Sequence, residues 1–158
     1  MTDINLVNYR VKIVALWTVF LLGTLFHTQL ALVPLFHGID VAFMTPIENS
    51  ATMAEIQPII WGMLLFFAIP MLAIVAVVFN APKRFRAWHF GLTIIYSILN
   101  FAHLLADLFV DPAIWHQIIL MLLLFAIGIL LNVVSYQWLT CRFTQHKSQA
   151  MGENNYLL

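Results

Sequence analysis

The segment AWHFGLTIIYSILNFAHLLADLFV, Ala87 to Val110, decides how the chain folds, because it is apolar enough for a bilayer and yet its polar residues are ordered. His89, Thr93, Tyr96, Asn100, His103 and Asp107 follow one another in steps of 4, 3, 4, 3 and 4 residues. A helix turns by about 100° per residue, so these positions form one narrow stripe. The remaining positions are mostly Leu, Ile, Phe and Ala, with Ser97 as an off-stripe exception. The spacing predicts a membrane helix with an apolar back and a polar seam.

Three more runs resemble it in length and apolarity. Of the 158 residues, 63% are hydrophobic and only 9% charged, whereas a soluble domain carries about 25% charged residues. Crossing a hydrocarbon layer about 30 Å thick takes roughly 20 apolar residues in a helix. Helices are therefore expected at about 13–36, 53–79, 87–110 and 112–139. They occupy most of the chain and leave no room for a second, water-soluble domain. The expected fold is all-α, a polytopic bundle of four transmembrane helices in up-down order, forming a single domain over residues 1–158.

Orientation follows from the basic residues. All seven lie at one side: Arg10 and Lys12 before the first helix, Lys83, Arg84 and Arg86 between the second and third, Arg142 and Lys147 after the fourth. The opposite loops hold Asp40, Glu48, Glu55 and Asp111 without a Lys or Arg. The positive-inside rule then predicts both termini in the cytoplasm. The basic residues serve topology, and the partners expected are the lipid bilayer and other membrane subunits or a second copy, with no nucleic acid. The first apolar run exceeds the roughly 7–15 residues of a signal-peptide core and is read as retained. A cell membrane, of the bacterial cytoplasmic type, is the expected location. Cys141 is the only cysteine, which excludes an intrachain disulfide and a thiolate metal cage.

Local signals set the helix ends. Thr52 and Glu55 have the spacing of a capping box, Pro70 predicts a kink in the second helix, and Asp111-Pro112 reads as an N-cap followed by proline at the first helical position. Trp88, Trp115 and Trp138 fall near helix ends and read as interfacial anchors, and Lys83-Arg-Phe-Arg86 as a basic cytoplasmic turn that sets topology. The tail, 141–158, is polar and expected to be flexible.

Helix direction brings several ionisable residues to the outer side: His27 from the first helix, Glu55 at the mouth of the second, His103 and Asp107 from the third, His116 from the fourth, with His37 above. An Asp at a membrane-helix centre costs roughly 2.5–3.5 kcal/mol on insertion scales, and such residues face the bundle interior with partners, so a functional site is the default reading. Three versions compete. His27 and His103 could ligate a b-type haem axially. His103, Asp107, His116 and His27 could hold a transition metal, with Fe, Cu or Zn suited to imidazole and carboxylate donors. The seam could relay protons, as in a proton-coupled transporter. In the metal and haem versions Asn100, Tyr96 and Glu55 would support the ligands by hydrogen bonds, and the role would be redox chemistry, as in an oxidoreductase, or metal handling. The alternative is a small non-catalytic subunit or assembly factor of a larger membrane complex, in which Tyr96, Asn100 and His103 merely pair with Thr24, His27 and Asn132.

Overall fold

The computed structural model describes residues 2–38, 52–79, 82–109 and 114–141. Among them are four helices and no strand: α1 (Thr2–Phe36), α2 (Met53–Phe79), α3 (Lys83–Leu108) and α4 (Trp115–Thr140). Each is long and apolar enough to cross a membrane. The Asp111-Pro112 turn, the acidic loop with Asp40 and Glu48, and the C-terminal tail lie outside the described residues.

Helix α1 starts about three turns earlier than its apolar run predicts. Thr2 to Lys12 contains neither Pro nor Gly, and polar residues cost a helix little once it has left the hydrocarbon. The helix has 35 residues, which at about 1.5 Å each is well over the bilayer thickness. Its far end is closed by Gly38, whose φ of 72° is the left-handed conformation that glycine adopts without steric cost. Helix α2 begins where the capping residues indicate. The Thr52 backbone N–H donates to Glu55 Oε2 at 2.8 Å, so Glu55 reaches back as the motif requires.

The core is built by α1, α3 and α4. Helix α4 buries Gln117, Met121, Leu124, Gly128, Leu131, Ser135 and Trp138, a 4-3-4-3-4-3 progression that gives one straight seam. Both α1 and α3 lie along that helix. Close approach is possible because a Cβ at Gly23 of α1 would run into the Leu124 side chain, and one at Gly128 of α4 would sit 3.1 Å from Ser97 Oγ. Asn132 Nδ2 donates to Ser97 Oγ at 2.8 Å, so the off-stripe serine, and not the stripe itself, meets Asn132. Helix α2 is attached mainly along α1. It buries only Pro70, Ala73 and Val77, and its other side chains cover the bundle with apolar surface suited to lipid.

The seam of α3 faces inward from His89 to Asn100, whereas His103 is exposed and Asp107 half-buried. His89, Thr93, Tyr96, Ser97 and Asn100 are all buried, and so is Arg86. Arg86 corrects the expectation of a basic turn, since it lies within α3 and its side chain is buried. Its Nη1 donates to the Trp138 carbonyl at 2.6 Å and the Cys141 carbonyl at 3.0 Å. A helix C-terminus leaves four carbonyls without helical partners, and a cation there is favourable. Trp138 is a second correction. It is fully buried, with its ring against His89 and Phe85, whereas Trp88 and Trp115 are exposed. Proximity to a helix end does not distinguish an anchor at the bilayer interface from a side chain that closes the core.

Candidate metal centre

At the end of the bundle away from the basic residues, α1 and α3 bring three potential ligands together. His103 and Asp107 are one turn apart on α3, and His27 faces them from α1. His27 Nε2 lies 3.2 Å from Asp107 Oδ2, and His103 Nε2 lies 3.5 Å from Asp107 Oδ1. Each carboxylate oxygen thus has its own imidazole. The two rings meet edge to face with centroids 5.2 Å apart. One ligand atom from each of the three residues lies within 4.8 Å of the other two, and among the described residues this is the only such group.

Burial grades across the set. The side chain of His27 is 7% exposed, that of Asp107 17% and that of His103 55%. The site is therefore anchored on α1 and open at His103. A pocket of about 280 Å³ lies over it, bordered by these three residues and by Thr28, Ala31, Ile114 and Gln117. Two imidazoles and one carboxylate would leave a bound ion with coordination positions for water or substrate, the pattern of open metal sites as opposed to closed structural ones. Without an ion, the same Nε2 atoms can donate to Asp107 as N–H groups. Metal and proton would then compete for the same lone pairs.

The other residues singled out from the sequence lie elsewhere. His116 is exposed on the first turn of α4 and does not join the converging group, whereas its neighbour Gln117 is buried and lines the pocket. Helix α4 starts at Trp115 and not at residue 112, and a step of one residue turns a side chain by about 100°. Gln117 had no distinguishing sequence signal beyond its adjacency to a more conspicuous histidine. Glu55 is exposed and engaged with its own Thr52 N–H, and His37 is exposed beyond the end of α1. Asn100, one turn before His103, is buried with its Oδ1 lacking a hydrogen-bond partner. The Tyr96 hydroxyl donates to the Phe66 carbonyl of α2 at 2.7 Å.

No known family model, no curated protein and no solved structure matches this chain.

Proposed function

We propose that this chain is an integral membrane metalloprotein that holds one transition-metal ion at His27, His103 and Asp107 on the outer side of a cell membrane, in a redox or metal-handling role. The observation that carries the reading is the convergence of two imidazole Nε2 atoms on the two oxygens of one carboxylate. Sidedness rests on the basic residues gathered at the opposite end. A mononuclear ion is favoured over haem by the ring geometry. Axial histidines stand on opposite faces of a macrocycle, whereas these rings touch edge to face at 5.2 Å and share a carboxylate. His116 remains close in sequence but outside the ligand set of this proposal.

A second reading, that of a small non-catalytic subunit or assembly factor, is supported by the same contacts, since Asp107 already has an imidazole at each oxygen without any ion. Elemental analysis and a visible spectrum of the detergent-purified protein separate the two. The metal reading expects about one ion per chain that disappears in His27→Ala and Asp107→Asn. A protein that stays free of metal after reloading with Fe, Cu and Zn removes it and leaves the structural reading. A Soret band that shifts on reduction would reinstate haem.

A further inference from the structure

A second pocket shares a wall with the metal centre. It lies between α1, α2 and α3, has a volume of about 300 Å³, and is bordered by Thr24 and Thr28, by Met63, Phe66 and Phe67, and by His103. His103 and Thr28 border both pockets. Met63 on α2 is exposed on a helix long and apolar enough to span the membrane, so the mouth opens sideways into the lipid region and not toward water. Met63, Phe66 and Phe67 offer aromatic and thioether surface, which suits a flat ring. The polar edge is more selective. The Thr24 hydroxyl donates to the Phe20 carbonyl at 2.8 Å and the Thr28 hydroxyl to the Leu25 carbonyl at 2.7 Å. A hydroxyl has one proton, so both threonine oxygens are left as acceptors only. A ligand that engages them must bring its own donor, an O–H or an N–H.

We infer that this lateral pocket binds the ring of a lipid-soluble quinol, its hydroxyl donating to Thr24 or Thr28 and its ring lying beside His103. The inference rests on the metal-site reading for its significance, because it names the kind of substrate that would reach the ion through a shared histidine. The lining itself does not depend on the ion. A quinone, whose oxygens only accept, leaves the threonine oxygens unmatched. The reduced ring is therefore the preferred form.

The test uses the full chain in lipid nanodiscs under anaerobic conditions, with a decyl-substituted benzoquinol, the corresponding quinone and decanol as probes in equilibrium dialysis. Metal content is measured on the same samples. The quinol binds with one site per chain, about five- to tenfold more tightly than the quinone, the worth of one hydrogen bond. Gly62→Leu, at a glycine that also borders this pocket and where a Cβ meets nothing within 4 Å, fills it, abolishes binding and leaves the metal content unchanged. The double variant Thr24→Val, Thr28→Val, which removes both acceptors, brings the quinol down to the affinity of the quinone. Equal binding of the two redox forms in the wild type, full competition by decanol, or wild-type affinity in Gly62→Leu overturns the inference. Metal without any quinol binding sinks this inference and leaves the metal site standing. Quinol binding sensitive to Gly62→Leu in a protein that never loads metal does the reverse.

Discussion

His89 and His103 stand on the same helix, 14 residues apart, and both meet α1, yet their surroundings differ. His89 is fully buried, and its Nε2 accepts from the Trp17 indole N–H at 3.0 Å. Trp17, Trp138 and Phe85 surround the ring. No acidic residue takes part in these contacts, and the lone pair that a metal would need is already engaged. His103 faces a carboxylate and a second imidazole, and its side chain is 55% exposed. The lesson is that a histidine inside a membrane bundle is assigned by what its nitrogens face and by whether anything can reach it. Depth alone would have treated the two alike.

The sharpest way to break this contrast is to remove the carboxylate. Asp107→Asn should lower metal affinity by more than the about 10- to 100-fold that losing a supporting hydrogen bond costs a metal site, as read by competition with a chelator. The same variant should leave thermal unfolding of the bundle nearly unchanged. At the other end the effects should be on stability alone. Arg86→Met strips the α4 terminus of a buried donor to two carbonyls, and each buried carbonyl left unmatched costs about 1–3 kcal/mol. Unfolding in detergent should shift accordingly while metal content stays at the wild-type level. His89→Phe leaves the Trp17 indole N–H without an acceptor, at a cost of about 1–3 kcal/mol, again with no loss of metal. Loss of metal in His89→Phe at wild-type stability would erase the distinction drawn here.

Acidification sharpens the comparison from the solution side. Imidazole must be neutral to ligate, so metal binding should release protons and weaken on acidification. Isothermal calorimetry in two buffers of different ionisation enthalpy measures that release. The smallest effect is expected for His116→Ala, whose metal content should match the wild type because His116 lies outside the converging group.

Much of the architecture was legible in the sequence because helix length and apolarity are properties of a segment by itself. The bounds of α2 and the existence of all four helices needed no knowledge of neighbours. The spacing of His103 and Asp107, and the depth of His27, likewise follow from counting along a helix. What could not be counted was the direction in which a side chain faces once a helix start moves by a few residues. This is why Gln117, and not His116, lines the pocket. Arg86 and Trp138 were misread for a related reason. Being near a helix end says where a residue is along the membrane normal, but their burial is decided laterally, by each other and by the C-terminal carbonyls of α4.

The seam of α4 has a consequence for how the protein is made. Helices α1 and α3 lean on α4 more than on each other or on α2, and α4 is the last helix of the four to be translated. Until it enters the bilayer, Trp17 and Phe20 have His89 and Tyr96 of α3 to meet but no Leu124 or Leu131 to complete their core. Assembly in the membrane is thus a late event, in which independently inserted helices are gathered when the final one arrives. A chain halted before Trp115 would carry both histidines and the aspartate and still lack the helix that holds them in register.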